Sequence, residues 1–298
     1  MSEKKPTAML KTIKSDPETI QALDNLFHEV GTYKNSREYI SLLKFIKKFP
    51  KYAPYNAHLL YMQKPGCHYV AMAPTWEKDF KRTVKSGARP LIILVPFGPV
   101  GYVFDIEDTE GEPIPEDILN PFKGEGNISD DLFHRLISNL PSIGIRYNEA
   151  DYGSQMAGKI EPCKKHQTQA IHKKSHDVNV KVLYNIVANK NFSKTDIFIT
   201  ILHELAHLFC GHMDDEHTEL FSKRRRINER EFEAESVAYL VCERMGIKNP
   251  SEKYLAGYTN SNDTIPDISL DCILNSAGKI EDMMKKIIKP IKEIVINE

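Results

Sequence analysis

The chain has 298 residues, 41% of them hydrophobic and 27% charged, with a formal net charge of −1 at pH 7. This composition is ordinary for a soluble globular protein, and the length suits two domains or one large one. Near-neutral charge excludes a strong field for polyanions over the whole chain. Five cysteines without framework spacing indicate a reducing compartment. The polar, lysine-rich start and the lack of a run of ~20 apolar residues predict a cytoplasmic protein with no membrane partner.

Charge is uneven along the chain. Residues 1–100 carry 16 Lys and Arg against 8 Asp and Glu, and the remainder reverses this surplus of positive charge. A basic first third hints at an anionic partner such as nucleic acid. Solvated helix faces would produce the same pattern.

The first third predicts helices followed by a small sheet. Helical apolar spacing covers residues 20–30, 36–49 and 52–62, and the stretch 75–84, with the only tryptophan, predicts a further short helix. Strands are expected at 90–97 and 102–106. Residues 108–115 have turn chemistry, and 120–127, rich in Gly and Pro, form the candidate linker. We therefore place one domain over 1–122 and a second over 123–298.

The second domain begins with a helix at 129–140, which Ser129 and two following aspartates open. Strands are expected at 144–148 and 155–160, and the β-branched stretch 181–191 predicts another. A closing amphipathic helix at 279–294, interrupted at Pro290, is expected to pack on the domain. The fold class is therefore α+β.

Residues 203–207 read HELAH inside an apolar run that Gly211 ends. Ser193, with Asp196 three positions later, marks the start of a helix. His203 and His207 are four apart and share one helix face, and Glu204 adjoins them. This is the HExxH pattern, in which two histidines bind zinc and the glutamate acts as general base. For the five letters alone, chance and two core histidines are a serious alternative.

Zinc needs a third protein ligand, and its fourth position is left to water. Some peptidases of this kind take a histidine from HExxHxxGxxH. Here Gly211 and His212 fall out of that register, and His212 is expected just beyond the end of the helix.

A second helix, at 229–243, offers a glutamate instead. Glu231 and Glu235 are four apart and share a face with Ala234 and Ala238, whose small side chains permit close approach. Glu231 is the expected third ligand of a single Zn²⁺ ion. Glu235 is expected to accept a ring N–H from a ligand histidine. Glu233 points to another face and is the fallback ligand.

Three weaker features remain. Cys163, His166, His172 and His176 have loosely metal-like spacing, although a basic loop at the rim of a cleft explains them better. The run of four cations at 223–226 could meet phosphates or an acidic peptide, or simply be solvated. A tyrosine or histidine within 147–176 is the candidate group for stabilising an oxyanion.

Two parts of the chain resemble known families. Over residues 36–115, Asn56-Ala57, Gln63, Pro65, Trp76, Gly87, the strand at 90–96, Phe104-Asp105 and the stretch TEGEP at 109–113 look like the amino-terminal domain of ArdC-type antirestriction proteins. HELAH and REFEAE at 230–235 resemble the metallopeptidase half of ArdC and the wider ImmA/IrrE family. REFEAE is also similar to the ligand helix of membrane CAAX proteases, which favours Glu231 over Glu233. The resemblance implies a zinc peptidase-like, zincin-type domain behind a domain that binds single-stranded DNA.

The sequence thus predicts a zinc-dependent metallo-endopeptidase that cleaves a protein or peptide partner. Zinc on His203, His207 and Glu231 would polarise a water whose proton Glu204 takes. One alternative is an ArdC-like antirestriction protein, in which zinc is structural and DNA binding is the activity. Another is a sensor peptidase that cleaves a transcriptional repressor, as the ImmA/IrrE resemblance suggests.

Overall fold

The computed structural model of the protein describes residues 36–95, 100–114, 126–151, 157–172, 177–213, 227–249, 255 and 265–296. Its architecture is mixed α+β, as the sequence predicts. Contacts divide the chain into two compact units, Met1–Lys123 and Gly124–Glu298. The expected helix at 20–30, most of the expected linker and the cations at 223–226 lie outside the described residues.

The described residues of unit 1 form three helices and two small antiparallel sheets. The helices are α1 (Ser36–Lys47), α2 (Pro54–Gln63) and α3 (Ala73–Phe80). One sheet has the order β1 (Val70–Ala71), β4 (Gly101–Asp105) and β3 (Leu91–Ile93), and the other pairs β2 (Arg82–Val84) with β5 (Thr109–Gly111). The core between these layers includes Trp76, Leu42, Ile46, Leu59 and Val103, all fully or almost fully buried.

Two predictions for unit 1 are wrong in detail. The helix expected at 75–84 ends at Phe80, where Lys81 adopts a left-handed conformation with φ 51°. The chain then continues as strand β2, which pairs with β5 in the stretch expected to be only a turn. Both differences arise because β2 pairs with β5, a segment distant in the sequence. The local sequence of neither segment encodes that pairing.

Helix α2 binds the outer edge of β3 through two side-chain amides. Asn56 donates to the Leu94 carbonyl at 2.9 Å and accepts from the Leu94 N–H at 2.8 Å. Gln63 does the same with Ile92, at 2.9 and 2.8 Å. Each amide therefore takes the place of a neighbouring strand and satisfies an edge that would otherwise present unpaired main-chain groups.

A buried carboxylate at the end of β4 binds the main chain just before β1. Asp105 is fully buried, and one of its oxygens accepts N–H bonds from His68, Tyr69 and Ile106 at 2.9–3.3 Å. Its other oxygen lies 2.8 Å from the Lys64 ammonium. The ion pair and the three N–H donors together compensate for the burial of the charge.

Unit 2 is built on a three-stranded sheet with the order β6-β8-β7. Strand β6 (Ile145–Ala150) is parallel to β8 (Asp177–Asn189), and β7 (Gly158–His172) is antiparallel to it. The register of β7 is interrupted between Pro162 and Gln167. The stretch expected as a basic loop is thus largely a strand, because long-range pairing with β8 overrides its polar composition.

The described part of unit 2 also contains the helices α4 (Asp130–Asn139), α5 (Lys194–Phe209), α6 (Ile227–Arg244) and α7 (Leu270–Lys285). The Ser193 side chain accepts the Asp196 N–H and caps α5. Helix α5 packs against both α6 and the sheet, and α7 packs against α6. Helix α5 therefore lies between the strand layer and α6.

The closing helix is α7, which begins nine residues before the predicted start and ends at Lys285. Asn139 accounts for the early end. Its amide donates to the carbonyls of Met283 and Lys286 and accepts the Ile288 N–H. These bonds hold the chain after Lys285 outside the helical conformation, so the helix ends before it reaches Pro290, which could not continue it. Within the described part of the chain, no helix has the length and apolar character needed to cross a membrane.

Candidate metal and catalytic site

The candidate site lies on α5, α6 and β7 of unit 2. Helix α5 presents His203 and His207 on one face, with their Nε2 atoms 2.9 Å apart. Glu231 of α6 reaches the same point, and its two carboxylate oxygens lie 3.6 Å from the two Nε2 atoms. The structure therefore brings together the three residues that the spacing selected as ligands.

The three ligand atoms suit a zinc ion in chemistry and in spacing. Two imidazole nitrogens and a carboxylate oxygen form a donor set of catalytic zinc sites. Zinc bonds of ~2.0–2.1 Å in a tetrahedral arrangement separate neighbouring ligand atoms by roughly 3.3 Å. The observed 2.9 and 3.6 Å lie on either side of that value. Glu231 is 44% exposed while the histidines are mostly buried, so the site opens to solvent on the carboxylate side.

Glu204 lies on α5 beside the two histidines and is held from the strand side. One carboxylate oxygen accepts the Ile160 N–H of β7 at 2.9 Å. Strand β7 can come this close because Gly158 has no side chain, and a Cβ there would lie 2.7 Å from the Thr200 methyl group of α5. Glu204 thus has one oxygen fixed by the edge strand and a second oxygen that remains to accept a proton.

Glu235 lies one turn after Glu231 on α6. Its carboxylate is 3.5 Å from Nδ1 of His203, the ring nitrogen that does not face Glu231. A carboxylate at this position orients the imidazole and leaves Nε2 for a metal. The structure thus places Glu235 beside His203, as the four-residue spacing predicts.

Glu233, the fallback ligand, lies elsewhere. It is fully buried, and its oxygens accept from His212 Nε2 at 2.9 Å and from the Ser269 N–H at 2.6 Å. It points to a different face of α6 from Glu231, because residues two apart on a helix diverge by ~200°. The fallback assignment is therefore not supported by the geometry.

His212 makes a contact that sequence reasoning missed. It lies beyond the end of α5, as expected, but its Nδ1 is 3.0 Å from Nδ1 of His207. The helix ends with Gly211 at φ 71°, the Gly211 N–H bonded to Leu208 O, and the His212 N–H bonded to His207 O. This Schellman motif turns the chain back over its last turn. Gly211 was the signal in the sequence that could have predicted the contact.

The charges of the site depend on burial and on the histidines. Contact with His203 and His207 holds the pKa of Glu231 well below its usual range, so this side chain is a carboxylate. Burial raises the pKa of Glu204, an effect that the two histidines partly offset. Such a shift improves a carboxylate as a proton acceptor. Burial also lowers the pKa of His212.

His203 is subject to opposing influences. Burial by itself would lower its pKa, but the carboxylates of Glu231, Glu235 and Glu204 outweigh burial and raise it. A cluster of three carboxylates around one imidazole concentrates negative charge where a cation would sit. The same electrostatics that attract a proton to His203 therefore favour a divalent metal ion.

Among the described residues, the other sequence candidates are not brought together. Cys163 and His172 are nine positions apart on β7, roughly 30 Å at ~3.3 Å per residue of extended strand, and His172 faces Asp177. His176 lies outside the described residues, as does the His166 side chain. The Tyr147 hydroxyl donates to Glu149 on β6, a strand that β8 separates from β7. In the described parts of residues 147–176, no tyrosine or histidine is placed to stabilise an oxyanion at the site.

Unit 1 has a cavity of about 370 Å³. Its lining combines aromatic rings with two exposed lysines, Lys48 and Lys51, and includes Phe49, Tyr52, Tyr69 and Phe80. The Lys51 ammonium lies 5.7 Å from the centre of the Tyr69 ring. Burial, with a contribution from Tyr69, raises the pKa of Tyr52 to about 12, so its hydroxyl stays protonated and donates to Val70 O at 2.8 Å. The cavity offers stacking surfaces beside positive charge.

A scan against protein-family models and searches of curated proteins and of solved structures each found no match. The chemistry of both candidate sites is therefore inferred from their own residues.

Proposed function

We propose that the protein is a zinc-dependent endopeptidase whose catalytic unit is unit 2. The observation that supports this most directly is the convergence of His203, His207 and Glu231 from two helices on one point, with Glu204 beside them. A purely structural zinc site would have no use for Glu204 and would take a fourth protein ligand. The resemblance of HELAH and REFEAE to ImmA/IrrE-type and ArdC-type peptidase domains, of zincin type, points the same way.

Each residue of the proposed site has a separate role in hydrolysis. His203, His207 and Glu231 would hold the ion, which when bound acts as a Lewis acid and activates a water for attack on a peptide carbonyl. Glu204 accepts the proton of that water on its second oxygen and passes it to the departing amine. The Ile160 N–H keeps the other oxygen still, so Glu204 does not lose its position between the two proton transfers.

The substrate is inferred to be an extended segment of a protein or peptide. Strand β7 is paired only with β8 among the described strands, and its Ile160 N–H faces Glu204 on the other side. An extended chain added along that outer edge would hydrogen-bond to main-chain groups and run past Glu204 and the ligands. Binding through the main chain is largely independent of sequence, and a transcriptional repressor is one substrate class that the resemblance suggests.

Glu204→Gln tests the proposal. The amide keeps an oxygen for the Ile160 N–H but cannot take a proton, so peptide cleavage should fall by ~10²- to 10⁴-fold. Zinc content should stay at one ion per chain, because Glu204 is not a ligand. Cleavage is measured on a peptide library and zinc by metal analysis. Wild-type protein that holds no zinc, or a variant that cleaves as fast as wild type, would refute the proposal.

A second candidate function has its own observation in unit 1. The lysine and aromatic lining of the 370 Å³ cavity has the features of single-strand binding sites, where bases stack on rings and cations meet phosphates. The resemblance to the amino-terminal domain of ArdC-type antirestriction proteins suggests the same ligand. If cleavage proves dispensable for the biological effect, this binding activity is the function, and zinc in unit 2 is structural or regulatory.

A further inference from the structure

We propose that His212 and Glu233 form a relay that positions His207 as a zinc ligand by fixing which of its nitrogens carries the proton. The proposal rests on the proposed metal site and concerns residues that do not touch the metal. Three contacts link the residues in a line: His207 Nδ1 to His212 Nδ1 at 3.0 Å, His212 Nε2 to Glu233 at 2.9 Å, and Glu233 to the Ser269 N–H at 2.6 Å.

The direction of each hydrogen bond follows from the end of the line. A main-chain N–H can only donate, and a carboxylate can only accept. Glu233 therefore accepts from Ser269 and from His212, which places the proton of His212 on Nε2. A neutral imidazole has one N–H, so Nδ1 of His212 must accept. The donor to it is Nδ1 of His207.

The consequence appears on the other side of the His207 ring. With its proton on Nδ1, His207 presents the lone pair of Nε2 to the point it shares with His203 and Glu231. His203 has the Glu235 carboxylate 3.5 Å from its Nδ1, whereas His207 meets the Glu233 carboxylate through an intervening histidine. Both ligand histidines thus depend on carboxylates of α6, the helix that also supplies the ligand Glu231.

Both relay residues are buried and held by neighbouring groups. His212 and Glu233 are 5% and 0% exposed, and Arg230 donates to the His212 main-chain carbonyl at 3.0 Å. Water therefore has little access with which to replace either hydrogen bond. Cys210 lies near the same pair but faces the Ser276 hydroxyl at 3.4 Å. The contacts of His212 and Glu233 are those of a hydrogen-bonded line, and they occupy the atoms that a second metal would need.

Glu233→Gln is the decisive variant. The glutamine oxygen must accept the Ser269 N–H, so its NH₂ faces His212 and forces the His212 proton onto Nδ1. That proton then opposes the Nδ1–H that His207 needs when it binds zinc. We expect the dissociation constant for zinc to rise by about 10- to 100-fold. Zinc affinity is measured by competition with a chelator, and the proton position on His212 by ¹⁵N NMR of metal-free protein.

Two further variants separate positioning from a general effect on folding. Glu243→Gln makes the same change on the same helix and should leave zinc affinity unchanged. Combining His212→Asn with Glu233→Gln should restore much of the affinity, because the oxygen of the introduced asparagine side chain can accept from His207 whatever residue 233 is. Thermal unfolding of the metal-free proteins shows which variants keep the fold.

The outcomes distinguish the relay from the proposed function. If wild-type protein binds zinc but does not cleave peptides, the peptidase proposal fails while the affinity comparison still tests the relay. The relay is overturned if Glu233→Gln folds and binds zinc as wild type does. It is also overturned if the His212 proton stays on Nε2 in that variant, or if wild type holds a second ion that His212→Asn removes. Should Glu233→Gln not fold, a proton on Nδ1 of His212 in the metal-free wild type refutes the relay, and a proton on Nε2 supports it.

Discussion

At the scale of single residues, the protein uses buried histidines in two ways. His212 is buried within a line of hydrogen-bonding partners. His58 is buried in the core of unit 1, 0% exposed, with the Tyr55 ring packed edge-on at 6.4 Å. Burial lowers the pKa of His58 to about 4 from the ordinary 6.5, because a charged ring would have to give up its hydration.

His58 should therefore make unit 1 sensitive to acid. Its pKa is lower in the folded chain than in the unfolded chain, so the unfolded chain binds the extra proton as the pH falls below about 6.5. The free energy of unfolding of unit 1 is therefore not reduced by His58 above that pH. It falls progressively between about pH 6.5 and about pH 4, by ~3 kcal/mol at most. Urea unfolding followed by fluorescence of Trp76, the single tryptophan and buried in unit 1, measures it.

His58→Leu provides the comparison. Its free energy of unfolding should change less with pH over the same range, because the titrating group is gone. Equal acid sensitivity in wild type and variant would assign the effect to other groups.

At the scale of elements, helix α2 is joined to the edge of β3 by two side-chain amides, which make the hydrogen bonds that a neighbouring strand would make. Asn56 and Gln63 are seven apart, two turns of α2, and face the alternate residues Ile92 and Leu94 of the β3 edge. Asn56 and Gln63 thus have a structural role here.

Gln63→Glu should expose that role. A carboxylate still accepts the Ile92 N–H but opposes the Ile92 carbonyl, so unit 1 should lose ~1–3 kcal/mol of stability. Protonation of the new acid restores a donor, so the difference from wild type should shrink as the pH is lowered. The Trp76 unfolding assay measures both effects. A variant as stable as wild type at neutral pH would show that the hydrogen bond from Gln63 to the Ile92 carbonyl contributes nothing.

At the scale of the whole molecule, the two candidate activities lie in different units. The cavity with Lys48 and Lys51 belongs to unit 1, and the histidine–glutamate site belongs to unit 2. Net charge near zero conceals this division, because the basic first third is offset by an acidic remainder. The activities should accordingly be separable by mutation.

Replacing Lys48 and Lys51 with alanine should weaken binding of a single-stranded oligonucleotide and reduce its salt dependence. The slope of log K against log salt should fall by roughly 0.7 for each phosphate that the variant no longer neutralises. Fluorescence anisotropy measures binding, and peptide cleavage should be unchanged. The pair Lys44→Ala and Lys78→Ala removes the same charge from exposed positions of unit 1 outside the cavity lining. Equal weakening by both pairs would mean that charge alone, and not the cavity, attracts the strand.

Spacing along each helix was enough to predict which candidate residues share a face. His203 and His207 share a face because they are four apart, and so do Glu231 and Glu235, since helical geometry repeats locally whatever surrounds it. The helix caps at Ser193 and Ser129 could be predicted for the same reason, since a capping bond forms within the first turn of its own helix. The mixed α+β class followed from alternating local patterns.

Only the tertiary structure decided what lies between elements. It turned His212 back onto His207, joined it to Glu233 on the next helix, and made a polar stretch into strand β7, whose Ile160 N–H holds Glu204. Each of these pairs lies at least one turn or one element apart, and hydrogen bonds between elements depend on packing of the whole unit. A sequence records helical periodicity residue by residue, but which buried donor meets which acceptor is settled only when the layers close together.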